Sequence, residues 1–419
     1  MQKLIIEGSR RLEGEVKIQG SKNSILPILA ACIICKDECI IHNCPNISDV
    51  HITKKILEYL GCKTEFENNV FVVNSKNISK NDIPDNLMRK MRSSIIFMGA
   101  LVSSLGSACL SLPGGCELGP RPIDIHIDSF RQMGLKINER HGKLKCDCGS
   151  GLIGCNIAFS FPSVGATENL ILASVLAKGT TILTNAAKEP EIIDLIHFLN
   201  KCGADIKYSH NGTIIIEGVE RLHGTEYTVI PDRIAAITYM AAVASTSGSV
   251  VIKNIVEDNI SSVIPIFEEA GCIINPIDKC SLKIDAPARL YCNRLIRTMP
   301  YPGFPTDAQA PIMAMTTTAD GTSVFVENIF SNRYKHVGEL LRLGADIKVE
   351  DKVAIVEGVK RLSGAKVNAM DLRGAAALIV AGLSAEGTTE ISGLEYLDRG
   401  YEKIEETLCK VGAYVKRVE

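Results

Sequence analysis

Long apolar runs are missing from this chain of 419 residues, and no stretch reaches the roughly 18 residues a membrane-spanning helix needs. A basic excess is missing too: 46 Lys and Arg stand against 48 Asp and Glu, for a formal net charge of −2. That balance excludes a generic nucleic-acid surface. Residues 1–8 lack the apolar core of a signal peptide, and the Gly-rich phosphate motifs of P-loop and dinucleotide folds are absent. The expectation is a soluble, cytoplasmic protein with neither nucleic acid nor membrane as partner. Any anionic ligand must then be held by a local cluster of Arg and Lys.

Cysteine is plentiful, with 15 residues, which without a secretion signal implies free thiols in a reducing compartment. Cys32, Cys35 and Cys39 fall at i, i+3 and i+7 of an apolar segment, the spacing of core residues on one helix face. Cys146 and Cys148 alternate as in a strand, and no His or Cys pair follows at zinc-site spacing, so neither a metal site nor a cofactor is expected. One thiol stands apart. Residues 112–122 place Cys116 among Gly114, Gly115 and Gly119, with Pro113, Pro120 and Pro122 stiffening the ends and Arg121 five positions on. This segment reads as an exposed, movable loop that carries a thiol to something anionic.

The chain is an internal repeat. A glycine after an amphipathic stretch recurs at Gly61, Gly134, Gly203, Gly271, Gly344 and Gly412, and another opens a β-rich run at Gly106, Gly179, Gly248, Gly321 and Gly387. A third signature joins Glu7-Gly8 to Arg11-Leu12 and Gly14, and returns at Glu217-Gly218 and Glu357-Gly358. Each unit holds one helix apolar all round, at 24–34, 93–104, 166–177, 234–247, 308–318 and 374–385. Such a helix should be buried on every side. Each also holds an amphipathic helix, at 49–60, 124–133, 189–202, 259–270, 333–343 and 398–411. The unit reads β-α-β-α-β-β, six times over. The register predicts one domain over 22–230 and a second from 1–21 plus 231–419, with a cleft between them.

Polar residues recur where the buried helices start: Lys22-Asn23, Arg92, Ser163 with Thr167, Asp232-Arg233, Thr306-Asp307, and Asp371 with Arg373. Ordinary capping accounts for Ser163, Asp232, Thr306 and Asp371. It does not ask for Lys22, Arg92, Arg233 or Arg373, because a cation opposes the helix dipole there; ligand contact does. Arg121 is equally readable as a solvated loop residue, and Asp398 beside Arg399 as a plain cap. His126 reads as a half-buried surface histidine, and Glu189 and Glu191 as acids usual at a helix start.

These residues resemble the enolpyruvyl transferases along the whole chain, most closely the branch acting on UDP-N-acetylglucosamine. The resemblance rests on Gly20-Ser21-Lys22-Asn23, Pro113-Gly114-Gly115-Cys116, Gly119-Pro120-Arg121-Pro122-Ile123-Asp124, Ser163-Val164-Gly165-Ala166-Thr167, Pro231-Asp232-Arg233, Phe304-Pro305-Thr306-Asp307, Asn332-Arg333, Asp371-Leu372-Arg373 and Asp398-Arg399-Gly400-Tyr401. It implies two inside-out α/β barrel domains, each of three βαβαββ repeats around buried parallel helices. It implies transfer of the enolpyruvyl group of phosphoenolpyruvate to the sugar 3′-hydroxyl, with phosphate released, as the first committed step of peptidoglycan synthesis.

By the same resemblance, Lys22, Asn23, Arg121 and Arg399 would hold phosphoenolpyruvate. Arg92, Arg121, Pro122, Ile123, Asp124, Ile125, Ser163, Val164, Asp307 and Ile329 would hold the nucleotide sugar. Cys116 would be the general acid and the site of a covalent enolpyruvyl adduct, with Asp307 as proton acceptor and Lys22 and Arg399 stabilising the departing phosphate. Arg233, Arg333, Asp371 and Arg373 would support the site. Phe161-Pro162 departs from some members, which carry Lys and Val there. Enolpyruvylshikimate-phosphate synthase shares the architecture but does not use such a cysteine, and a non-catalytic binding protein on this scaffold would not need Lys22, Cys116, Asp307 and Arg399 intact.

Overall fold

A helix with no polar face must be covered on all sides, and six such helices organise the molecule. The computed structural model describes residues 2–112 and 123–419. The buried helices are α1 (Lys22–Cys35), α2 (Phe97–Leu105, entered through a 3₁₀ turn at Arg92–Ile96), α3 (Val164–Ser174), α4 (Arg233–Ser245), α5 (Thr306–Thr316) and α6 (Leu372–Ser384). Every residue of α1 except Asn23 is buried, and every residue of α4 except Ser245. Each buried Leu or Ile contributes about 1.5–3 kcal/mol relative to exposure.

The chain divides into two compact units. One comprises residues 20–112 and 123–230, with α1, α2 and α3 packed on one another in a single apolar core. The other comprises residues 2–19 and 231–419, with α4, α5 and α6 packed likewise in a second core.

Small sheets lie against these helices, and one pattern repeats. A strand pairs in parallel with a central strand, which is flanked antiparallel by the second strand of a hairpin. Asn156–Ala158, Thr180–Thr184, Ile214–Glu217 and Asp205–Tyr208 show the order. Among the described residues no sheet closes on itself; each is an open array of three or four strands. The three-stranded one replaces the parallel strand with a single bridge, Asp82 to Cys109.

The N-terminal strands complete sheets of the second unit. Lys3–Glu7 lies antiparallel between Thr388–Ser392 and Tyr414–Val418, and Glu13–Lys17 runs parallel to Ser249–Lys253. Lys3–Glu7 thus occupies the place that Ile214–Glu217 and Val353–Glu357 hold in their sheets, which explains the shared Glu-Gly signature. The N–H groups of Gly8, Gly218 and Gly358 donate to the carbonyls of Gly387, Gly179 and Gly321 at 3.2, 3.1 and 3.0 Å. A Cβ on the first three would fall 2.0, 1.7 and 1.7 Å from the carbonyl oxygens of Ala385, Ala177 and Ala319. Two of the glycine series read from the sequence are therefore the two sides of one close backbone contact.

The glycines that follow the amphipathic helices all have positive φ, from 89° to 107°, and end those helices in the left-handed conformation. The helices themselves depart from expectation in the second unit. Ser48–Leu60, Asp124–Gln132 and Pro190–Lys201 are continuous. Their counterparts are broken: Glu257–Ile260 then Ile264–Glu269, a 3₁₀ turn at Arg333–His336 before Val337–Arg342, and Leu394–Leu397 then Ile404–Lys410. Pro265 has no N–H for the turn before it, which accounts for the first break. At the last, side chains distant in sequence hold residues 398–402 in a separate turn.

Candidate active site

In the first unit the helix starts gather charge that the dipole opposes. Lys22 opens α1 and is 7% exposed; its Nζ lies 2.8 Å from an oxygen of the fully buried Asp49, in the first turn of Ser48–Leu60. The carboxylate offsets the cost of a buried cation at this end of a helix. Asn23 beside it is half-buried. Pro27 has no N–H to give the carbonyl of Asn23 four residues back, and Pro311 stands in the same relation to Asp307 in α5.

Arg92, half-buried, opens the turn into α2. His126 is buried rather than half-exposed, a correction to the sequence reading. Burial first, and then the charge of Arg92, bring its pKa down to about 4. Asn169 fixes the tautomer. Its Oδ1 accepts from the Gly99 N–H at 2.8 Å, so its Nδ2, 3.0 Å from His126 Nδ1, is the donor, and Nε2 carries the imidazole proton. Nothing in the sequence near His126 signals Asn169, which comes from another helix.

Ser163 caps α3 through the Ala166 N–H at 3.4 Å, with Val164 as the first helical residue. Ile123 is buried, Asp124 exposed and Ile125 half-buried at the start of Asp124–Gln132. Cys116, Arg121 and Pro122 lie outside the described residues. Glu191 is buried, which its reading as an ordinary helix-start acid did not anticipate. In α3 the buried Glu168 carboxyl is pushed well up, by burial first and then by the charges of Glu191 and Glu189.

In the second unit, Asp307 at the start of α5 is held by two guanidinium groups. Arg333 Nη2 lies 2.9 Å from Oδ1 and Arg373 Nη2 lies 2.8 Å from Oδ2. Both arginines are almost wholly buried, whereas the Asp307 side chain is 28% exposed, so one edge of the carboxylate reaches the surface of its unit. Arg333 also donates to the Thr306 carbonyl through Nε at 3.1 Å and Nη2 at 2.7 Å. Burial is the largest single influence on Arg373 and opposes its charge, but Asp307, Tyr401 and Asp232 together outweigh it and raise the pKa. Arg373 Nη1 is 3.3 Å from the Tyr401 hydroxyl, which in turn lies 2.8 Å from Thr238 Oγ1.

Asp232 and Asp371 are true caps, each accepting two backbone N–H bonds at 2.9–3.0 Å. Thr306 is not. Pro305 holds the cap position, and the threonine hydroxyl donates to the buried Glu327 at 3.0 Å. The other oxygen of Glu327 accepts from the N–H groups of Ile329 and Phe330 at 2.8 and 3.0 Å. Glu327, which the sequence reading passed over, thereby ties Ile329 to the residue before Asp307. Arg233 lies over the Tyr301 ring, 5.6 Å from its centre. Arg399 is half-buried in the turn after Leu394–Leu397. Asp398 beside it does not cap a helix start; it is the C-terminal cap of that helix and pairs with Arg417.

The thiols fall differently from the sequence reading. Cys32 and Cys35 lie on α1, but Cys39 is in the strand Glu38–His42, where it meets both of them and Cys202. All the described cysteines are free. Among the described residues no group of three or more His, Cys, Asp or Glu is placed to hold a metal ion, and no helix is long and apolar enough to cross a membrane.

Comparison with known proteins gives the family and the fold. Residues 6–408 match the family model of EPSP synthase (3-phosphoshikimate 1-carboxyvinyltransferase). UDP-N-acetylglucosamine 1-carboxyvinyltransferase 2 of Caldanaerobacter subterraneus subsp. tengcongensis is 48% identical over the whole of both chains. UDP-N-acetylglucosamine 1-carboxyvinyltransferase 1 of Clostridium acetobutylicum is 47% identical, again over the whole of both. The enolpyruvyl transferase NikO from Streptomyces tendae superposes with a TM-score of 0.90 at 25% identity, covering 100% of this chain and 99% of its own. EPSP synthase from Acinetobacter baumannii shares the fold, with a TM-score of 0.77 at 19% identity over the whole of both chains. With its two-unit α/β fold and this match from one end to the other, the chain belongs to the EPSP synthase family of carboxyvinyl-transferring enzymes.

Proposed function

We propose that this chain transfers the enolpyruvyl group of phosphoenolpyruvate to the 3′-hydroxyl of UDP-N-acetylglucosamine and releases inorganic phosphate, opening peptidoglycan synthesis in the cytoplasm. The observation that carries this is full-length identity of 48% and 47% to enzymes whose names state that activity. The site residues belong to the same reading. Lys22, Asn23, Arg121 and Arg399 hold the phosphate and carboxylate of the donor, and Arg92, Arg121, Pro122, Ile123, Asp124, Ile125, Ser163, Val164 and Ile329 the nucleotide sugar. The inside-out barrel arrangement of each unit is part of it too.

Proton transfers run both the addition and the elimination. As the sugar oxygen bonds to C2 of the enol, Asp307 accepts the hydroxyl proton and the Cys116 thiol supplies one to the methylene carbon. The Cys116 thiolate then takes a proton back from the new methyl group, the C2–O bond to phosphate breaks, the departing phosphate takes up the proton held by Asp307, and the vinyl ether remains. Two guanidiniums on the Asp307 carboxylate fix its position, and its partly exposed edge suits a hydrogen bond from a hydroxyl. Lys22 and Arg399 meet the charge growing on the phosphate.

The purified protein is expected to release phosphate from phosphoenolpyruvate only when UDP-N-acetylglucosamine is present. Release with 3-phosphoshikimate in its place, or no release with either acceptor, would overturn the reading.

A further inference from the structure

Arg399 sits on the turn 398–402, between Leu394–Leu397 and Ile404–Lys410, and that turn is held from both sides. Before Arg399, Asp398 accepts a two-pronged contact from Arg417, with Nη1 2.9 Å from Oδ2 and Nη2 2.7 Å from Oδ1. Arg417 belongs to the last strand, Tyr414–Val418, and its Nε lies 2.8 Å from Glu405 Oε1, so the fork is itself fixed in plane. After Arg399, the carboxamide of Gln19 bonds the backbone twice. Its Nε2 donates to the Gly400 carbonyl at 2.9 Å and its Oε1 accepts from the Glu402 N–H at 2.8 Å. A primary amide suits this task because one rigid plane offers a donor and an acceptor together. The Gln19 carbonyl in turn accepts from the Asp232 N–H at 2.9 Å, anchoring it at the cap of α4. Tyr401, between the two bonded residues, is tied to Thr238 and Arg373.

We propose that Gln19 and Arg417 are positioning residues for Arg399: they fix the turn so that its guanidinium meets phosphoenolpyruvate without first having to be ordered. Neither touches substrate in this scheme; each acts through the backbone of 398–402. The inference rests on the reading of Arg399 as a phosphoenolpyruvate ligand. Preorganised cations raise donor affinity, because ordering the loop would otherwise be charged against binding.

The test is steady-state kinetics on the full chain with Gln19→Met, which keeps length and removes both amide bonds, and Arg417→Lys, which keeps charge and removes the fork. Arg399→Lys serves as the reference. Gln19→Met and Arg417→Lys are each expected to raise KM for phosphoenolpyruvate about tenfold, while KM for UDP-N-acetylglucosamine stays within about twofold. Gln19→Met added to Arg399→Lys should add little further. If Arg399→Lys raises the donor KM and Gln19→Met does not, the positioning role is overturned and the ligand reading stands. If Arg399→Lys leaves the donor KM unchanged, the ligand reading fails and takes this inference with it. Equal loss for both substrates, or full additivity in the double variant, also counts against positioning. Should Arg417→Lys fail to fold, Gln19→Met decides alone.

Discussion

Arg373 Nη2 lies 2.8 Å from Asp307 Oδ2, joining the starts of two buried helices by a charge pair whose cationic partner is almost wholly enclosed. Removing the guanidinium takes one of the two buried arginines away from that carboxylate. Arg373→Ala should therefore lower unfolding free energy by about 1–3 kcal/mol and abolish phosphate release. Arg373→Lys should retain more stability than activity, since a point charge cannot serve Asp307 and Tyr401 together. Chemical denaturation beside a phosphate assay checks both; wild-type turnover in either variant would show the pair to be dispensable.

His126 and His336 are both buried, and burial is the main cause bringing each pKa down to about 4. An unfolded chain titrates near the ordinary value of about 6.5 and so binds more protons than the folded one between the two pH values. Stability should rise with pH through this window and fall as pH drops from about 6.5 toward 4. Denaturation at pH 7 and pH 4.5 should show the loss, and His126→Gln should lose less over that interval than the native chain. An equal or larger loss in the variant would place the effect elsewhere.

Gly218 and Gly338 make a matched pair. A Cβ at Gly218 meets the Ala177 carbonyl oxygen at 1.7 Å, while one at Gly338 meets nothing within 4 Å. Gly218→Ala must displace backbone and should destabilise by several kcal/mol, with Gly8→Ala and Gly358→Ala behaving alike. Gly338→Ala, inside the helix Val337–Arg342, should be neutral or stabilise by up to about 1 kcal/mol. Thermal melts of both variants decide.

Thiol reactivity should divide by environment. Cys280 and Cys409 are exposed, whereas burial pushes the thiols of Cys62, Cys146 and Cys272 up to about 12. A general alkylating reagent should label the exposed pair and spare the buried three. An epoxide shaped like phosphoenolpyruvate should instead label Cys116, and Cys116→Ala should lose turnover. Peptide mapping that finds the epoxide chiefly on another cysteine would remove the proposed acid.

The repeat was legible because glycine carries its reason locally. Gly134 or Gly344 ends a helix in a conformation other residues avoid, so position along the chain suffices to recognise it. The all-apolar helices were legible for a similar reason, since a stripe without a polar face needs no partner to be called buried. The cationic starts of α1, α4 and α6 were legible as departures from the dipole rule, but the partners of the charged residues were not. Lys22 finds Asp49, Asp307 finds Arg333 and Arg373, and Asp398 finds Arg417, none at a spacing that local periodicity can register. Pairings across long loops are set by packing, which also buries His126 and sets apart the turn at 398–402.

One consequence follows from the strand Lys3–Glu7, where Ile5 stands opposite Glu390 on one side and Lys416 on the other. The unit holding α1 to α3 lies within residues 20–230, so a ribosome passes its last residue before residues 231–419 are made. The other unit cannot close the sheet around Lys3–Glu7 until Tyr414–Val418 emerges, about 10–40 s later at ribosomal elongation rates. Throughout that interval the first strand is an unpaired edge waiting for its neighbours. A slower gene, or a C-terminal truncation as short as the last strand, should therefore harm folding yield more than any equal cut from a surface loop.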